Sequence, residues 1–339
     1  MNGTRANSSH TGCESIPVTS MEWDNVWVII SVILTCSGVI ITCLIGGLFY
    51  WHKETPIIMA SGKELSFVLL GGVLMSYIST FVFVAHPTPF ICGATRFLLG
   101  VSYTVCYAAI LVKTNRIYRV FNIHTSKPKK VKFISAKSQL LITFGIVSVE
   151  IAALTSWLIF DQPEVIHEYP TRADNVRVCE DSRDYAYLGA LVYPIFLMIV
   201  CVYYAVKTRK TPDGFNETRY VAFGSYSFFV QWIAFTSIYF SVETHTLRVV
   251  ALCFASTINA TVTLITLFIT KAYVVLLRPQ KNTRGNVMSR RKTRTYDTVS
   301  NHLAKLSRMA TAGKYSREIT FKSIQGRLYF HKKTDTVTF

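Results

Sequence analysis

The chain has 339 residues, half of them hydrophobic and only 16% charged, where a soluble domain carries about 25%. Its net charge of +17 would suit nucleic acid, but residues 277–339 alone hold fifteen Lys and Arg against three acids, and basic residues beside apolar runs suit cytoplasmic loops and anionic membrane lipid. A water-surrounded globular core and a nucleic-acid-binding role are set aside, and a polytopic membrane protein remains.

The first 25 residues are polar and lack the apolar stretch of a signal peptide, so the first span is expected to act as its own insertion signal. Asn2 (Asn-Gly-Thr) and Asn7 (Asn-Ser-Ser) are glycosylation sequons in this segment. Seven apolar spans follow. Val26–Trp51 runs 26 residues and Leu65–Ala85 21 residues without a charge. Phe97–Val112 is uncharged for only 16 residues, so its helix is expected to start near Cys92 and continue past Lys113. Ser138–Phe160 holds one charge, Glu150; Tyr185–Val206 holds none and includes Pro194. Tyr220–Val242 is uncharged for 23 residues, a reach of about 34 Å as helix, enough for a hydrocarbon core of roughly 30 Å. Val249–Thr270 is the seventh, its helix continuing through Leu277. The predicted fold is an all-α membrane protein, a seven-transmembrane helix bundle, with residues 1–25 as a short outer stub, 26–277 as the bundle, and 278–339 as a basic, disordered cytoplasmic tail.

Orientation follows from Lys and Arg. The connection Arg116 to Lys137 has seven basic residues and no acid, and Lys207 to Arg219 has four against two. Asp161 to Asp184 has seven acids and three Arg. The basic connections are placed in the cytoplasm, so the amino terminus lies outside and the carboxyl terminus inside.

There are eight cysteines. Cys36, Cys43, Cys106, Cys201 and Cys253 lie inside spans and read as small packing residues. Cys92 and Cys179 both face the oxidising side, and a disulfide between them would tie the acidic loop to span three. Cys13 is left over, implying an intermolecular bond or a partner elsewhere. No nucleophile, metal-ligand or phosphate-loop motif is present and the histidines are scattered, so no enzyme and no cofactor are expected.

Polar groups inside the spans carry more. A charge at the depth of Glu150 costs about 2.5–3.5 kcal/mol, so it is expected to face protein or water, either as a functional acid or merely bonded to a neighbouring helix. Gln231 and Asn259 either hydrogen-bond across the bundle or line a small-ligand cavity with Tyr107, Trp232, Phe235 and Tyr239. Lys113 and Glu217 stand at the inner edges of spans three and six, where they either pair or snorkel separately. The tail's basic blocks, such as Arg290-Arg291-Lys292-Thr293-Arg294, suit anionic lipid. The chain closes on Thr336-Val337-Thr338-Phe339, whose Val337 and Phe339 fit strand addition to a PDZ domain.

These residues together resemble the transmembrane domain of class C G-protein-coupled receptors, most of all metabotropic glutamate receptors, over roughly Gly12 to Gln280. The carriers are Lys113-Thr114-Asn115-Arg116-Ile117, Ile166-His167-Glu168-Tyr169-Pro170, and the run from Tyr203-Tyr204-Ala205-Val206-Lys207 through Phe215-Asn216-Glu217 to Trp232-Ile233-Ala234-Phe235 and Ile238-Tyr239-Phe240. The resemblance implies a disulfide Cys92–Cys179 and an inner lock Lys113–Glu217. It implies an allosteric cavity lined by Tyr107, Trp232, Phe235, Tyr239 and Asn259. It also implies G-protein-facing loops bearing Arg116, Lys129, Lys130, Lys132, Phe215 and Asn216. Its implied partners are a heterotrimeric G protein and a second class C receptor, as homo- or heterodimer, at the plasma membrane. Thr11-Gly12-Cys13 through Met21-Glu22-Trp23 resembles the end of the family's Cys-rich linker, whose upstream part would hold the partner of Cys13. Without the family's outer domain the chain is not expected to bind glutamate in the family's manner. The alternative to an autonomous receptor is a short isoform or fragment that dimerises with full-length receptors and modulates them. Thr270 and Ser237 stand where the family pattern has Pro, and Glu150 where it has Gln. The loss of two helix-kinking prolines bears on the activation geometry. A transporter or channel is disfavoured, because no inverted repeat or filter is present.

Overall fold

The computed structural model describes residues 4–6, 11–19, 25–122, 135–169, 175–180, 186–208, 216–242 and 244–277. Among them are seven helices long and apolar enough to cross a membrane. The first, α1 (Val26–Trp51), starts where the Asn25 side chain accepts from the Trp27 N–H at 3.0 Å, satisfying one of the donors a helix start leaves open. α2 (Lys63–Val84) follows Gly62, whose φ of 77° is a left-handed turn that glycine adopts without strain. α3 (Pro89–Asn122) begins on a proline, suited to a first turn that needs no N–H donor. α4 (Ala136–Phe160) is capped by Ser135, which accepts from the Ser138 N–H. A short turn of helix, Ala186–Gly189, precedes α5 (Val192–Thr208). α6 is Asn216–Ser241 and α7 His245–Leu277. Inside α7 one turn, Ile265–Ile269, has π-type bonding.

α3 is the most buried of the seven and α4 the least. α3 packs against α2, α4 and α5, while α7 packs against α1, α2 and α6. The α1, α2 and α7 contacts are stitched by hydroxyls. Tyr77 and Thr261 meet at 2.8 Å, Thr35 and Thr257 at 3.2 Å, Ser79 and Ser256 at 3.2 Å, and the Ser256 hydroxyl donates to the Ser76 carbonyl. Such residues serve helices in lipid, where packing and hydrogen bonds rather than water exclusion hold interfaces together. Gly72 brings α2 onto α3, since a Cβ there would lie 2.9 Å from Cys106 Sγ and Val105 Cγ1 and 3.3 Å from the Cys106 backbone nitrogen. Gly72→Val is expected to cost about 1–3 kcal/mol of overpacking strain and to lower the melting temperature of the solubilised chain. Gly145→Val, at a site with nothing within 4 Å of its Cβ position, should leave melting unchanged.

The end of the bundle where α3 begins carries short strands. β1 (Thr4–Ala6) pairs with β2 (Cys13–Ser15). β3 (Val18–Thr19) runs parallel to β5 (Asn175–Cys179), which pairs antiparallel with β4 (Val165–Glu168). These strands add to the all-α expectation. The disulfide is formed: Cys179, last in β5, bonds to Cys92 in the first turn of α3, with Cα atoms 5.6 Å apart.

One expectation changes. Cys36 and Cys43 do not pack. Both are exposed on α1, on a face with Ile29, Ile33 and Ile40 that suits lipid. Span three begins at Pro89, close to the expected start near Cys92, and runs on past Lys113 to Asn122, with the Arg96 charge absorbed inside the bundle. Asn2, Asn7, Lys129, Lys130, Lys132, Phe215, Val337 and Phe339, with the whole tail from 278, lie outside the described residues, as do the side chains of Asn216 and Glu217.

Candidate functional site

The aromatic and amide residues that sequence analysis grouped come from three helices. On α6, Phe228, Trp232, Phe235 and Tyr239 fall at helical spacing on one buried stripe. The stripe meets Tyr107 of α3, an Asn259 side chain of α7, and Tyr103 one turn from Tyr107. Ring centroids are 5.4 Å apart for Tyr103–Trp232, 5.6 Å for Trp232–Phe235, 5.4 Å for Phe235–Tyr239 and 5.3 Å for Tyr107–Phe228. Each separation lies in the range of favourable aromatic pairing.

One hydroxyl joins the three helices. The Trp232 Nε1–H donates to Tyr107 Oη at 2.9 Å, and that hydroxyl donates to Asn259 Oδ1 at 3.1 Å. The Tyr107 backbone carbonyl also accepts from the Cys201 thiol of α5 at 3.4 Å. Gln231 Nε2, beside Trp232, donates to the Ala255 carbonyl of α7 at 2.6 Å. Asn259 Nδ2 is buried with no described acceptor. The rings of this cluster pack as core, and its hydroxyl and amides hydrogen-bond across the bundle. The Trp232–Tyr107 bond ties α6 to α3.

At the opposite end of the bundle Lys113 is buried. Its Nζ donates to Ser61 Oγ at 3.0 Å and lies 3.5 Å from Ser66 Oγ. Lys271 of α7 donates to the same Ser61 hydroxyl at 2.5 Å. The Arg116 guanidinium sits beside Gly62, where a Cβ would come within 3.0 Å of it. Three cations from α3 and α7 thus gather at the turn between α1 and α2. Lys271 escaped the sequence reading because the uncharged run was ended at Thr270, one residue short of it. Lys207 lies over the rings of Tyr203 and Tyr118, at 5.0 and 5.9 Å.

At the disulfide end Arg96 is 1% exposed. Its Nη2 pairs with Asp161 Oδ2 at 3.1 Å, and its Nη1 donates to the Asp161 carbonyl. The guanidinium lies 4.4 Å from the Trp157 ring centre, and the Trp157 Nε1–H donates to Asp161 Oδ2 at 3.0 Å. This cluster joins the start of α3 to the end of α4. Glu150 is buried on the α4 face that meets α3. Among the described residues no three His, Cys, Asp or Glu gather to hold a metal.

The chain matches, over residues 21–271, the family model described as "7 transmembrane sweet-taste receptor of 3 GCPR". It is 35% identical over 310 residues to metabotropic glutamate receptor 8 of Homo sapiens, covering 88% of this chain and 34% of that receptor. To metabotropic glutamate receptor 6 of Rattus norvegicus it is 37% identical over 302 residues, covering 86% of this chain and 35% of that receptor. The chain spans about a third of the length of these relatives.

Proposed function

Because this chain belongs to the class C seven-transmembrane receptor family, as a transmembrane domain homologous to those of metabotropic glutamate receptors, we propose that it promotes nucleotide exchange on a heterotrimeric G protein. The disulfide end faces outward and the lysine-bearing end inward, in keeping with the basic connections. The bundle works in the plasma membrane beside a second class C protomer.

The observation that carries this reading is the Tyr107 hydroxyl shared by α3, α6 and α7. Tilting α6 exchanges the Trp232–Tyr107 bond for another arrangement, and a small ligand contacting Trp232, Phe235, Tyr239 or Asn259 in one arrangement only would shift the population. The inner end supplies the readout. Lys113, Lys271 and Arg116 concentrate positive charge there, and the carboxylate of Glu217, at the foot of α6, is the complementary group. A Lys113–Glu217 contact would hold the feet of α3 and α6 together, with Phe215, Asn216 and the basic connection bearing Lys129, Lys130 and Lys132 meeting the G protein when it opens.

An ion pair at the membrane edge contributes up to about 1 kcal/mol, so releasing it shifts a two-state balance by about fivefold at most. Glu217→Lys is therefore expected to raise basal nucleotide exchange by up to about fivefold, read as nucleotide uptake by purified G protein. An unchanged basal rate in a well-expressed variant would remove the lock from the mechanism.

A further inference from the structure

We propose that Glu150 is a proton-binding site between α3, α4 and α5, held as the neutral acid with its O–H directed to the Ala190 carbonyl. The inference is independent of the signalling reading. Glu150 is 3% exposed, and no described group donates to its Oε1. A carboxylate only accepts hydrogen bonds, so as an anion it would sit among apolar helices with nothing to satisfy that oxygen.

The acid's neighbour has the opposite need. Gly100 of α3 leaves an open spot: a Cβ there would lie 2.6 Å from Glu150 Oε1, 3.0 Å from the Ala190 carbonyl oxygen and 2.7 Å from Leu154 Cδ1. The two oxygens therefore flank one small space. Ala190 sits in the break between Ala186–Gly189 and α5. The residue four places on, which would donate to its carbonyl in a continuing helix, is Pro194, and proline has no N–H. Inside a bilayer, backbone groups freed by proline are satisfied by side chains of neighbouring helices. A neutral acid supplies the missing donor and discharges its own charge in one step. An anion would instead bring its lone pairs up to a carbonyl.

The surroundings agree. On α3, Arg96 lies one turn from Gly100 but its guanidinium is engaged by Asp161 and Trp157. On α5, the Tyr193 hydroxyl donates to the Ile146 carbonyl of α4 at 3.1 Å. Arg96, Asp161 and Tyr193 are titratable groups along this seam, with Tyr103 and Cys106 further along α3 and Tyr187 in the turn before Ala190. Thr104, one turn from Gly100 on the same face of α3, has a buried hydroxyl with no described partner. Any rearrangement that admits water between α4 and α5 releases the proton, so the packing of α5 on α4 is linked to one proton.

The test is infrared spectroscopy of the full chain in lipid at neutral pH, in light and heavy water. The expected result is a carbonyl band of a protonated carboxylic acid, sensitive to deuterium exchange and absent in Glu150→Gln. That variant keeps an N–H donor for Ala190 and is expected to melt near the wild type. Gly100→Ala keeps the acid but pushes it from Ala190, and is expected to shift the band to higher frequency as the hydrogen bond weakens. It carries the test if Glu150→Gln fails to fold. Three results would each overturn the proposal: no acid band lost in Glu150→Gln, an unshifted band in Gly100→Ala, or wild-type melting that depends on sodium against a bulky organic cation and loses that dependence in Glu150→Gln. The last would place a metal cation there instead.

Discussion

Serine in place of Cys179 is expected to be strongly destabilising. The bond closes a separation of 87 residues, for which chain entropy sets a ceiling of about 4–5 kcal/mol. The measured loss should fall below that ceiling, because a bilayer already confines α3 and α4 when the bond is cut. A second loss adds to it. Cys179 ends β5, which pairs on one side with β4 and on the other with β3, just before α1. Cutting the bond detaches this small sheet from α3 as a unit. Cys92→Ser should reproduce the effect, and the double variant should be no worse than either single one, because both act through one bond. Melting in detergent and amide exchange over 165–168 and 175–179 read the two losses separately. Equal melting with and without the bond would contradict the staple described here.

The second large effect belongs to Trp232. Alanine there removes the ring that touches Tyr103 and Phe235 and leaves the Tyr107 hydroxyl without its indole donor. Truncating a buried tryptophan costs about 3–5 kcal/mol. Tyr107→Phe isolates the hydrogen bonds from the packing, since it deletes one oxygen that serves both Trp232 and Asn259. Interhelical hydrogen bonds in membranes average about 0.6 kcal/mol each, so this variant should lose roughly 1 kcal/mol while basal nucleotide exchange changes as α6 is released. Trp232→Ala should therefore be mainly a folding defect and Tyr107→Phe mainly a signalling one. If Tyr107→Phe lost as much stability as Trp232→Ala, the hydroxyl would be a structural keystone rather than a hinge contact.

Much of this was legible in the chain itself. Seven apolar runs, six of them long enough to cross a bilayer, are hard to hide, and the spacing of Phe228, Trp232, Phe235 and Tyr239 marks one face of a helix. What was not legible depends on partners distant in sequence. The sequence carried the third helix past Arg96 to near Cys92 but did not show what holds that charge. Only the fold brings Trp157 and Asp161 to it. Cys36 and Cys43 looked like packing residues because a lipid-facing side chain and a buried one are equally apolar, so hydropathy cannot separate them. The irregular turn Ile265–Ile269 has no composition signal at all. It sits directly before Thr270, whose hydroxyl donates back to the Thr266 carbonyl, so α7 is irregular next to a position where the family resemblance led us to expect a proline. The β4–β5 hairpin is too short for its alternation to stand out. The joining of Tyr107, Trp232 and Asn259 was suggested by resemblance, while the bonds between them come from the structure alone.

The central claim is that this bundle, through movement of α6 against α3, acts on a G protein. Reconstituting the purified, disulfide-bonded chain in lipid discs with heterotrimeric G proteins of each class and following nucleotide exchange tests it most directly. Exchange with at least one class should run faster than with empty discs, and faster again with Glu217→Lys. Rates equal to empty discs for every class, with a chain that melts cooperatively, would contradict it.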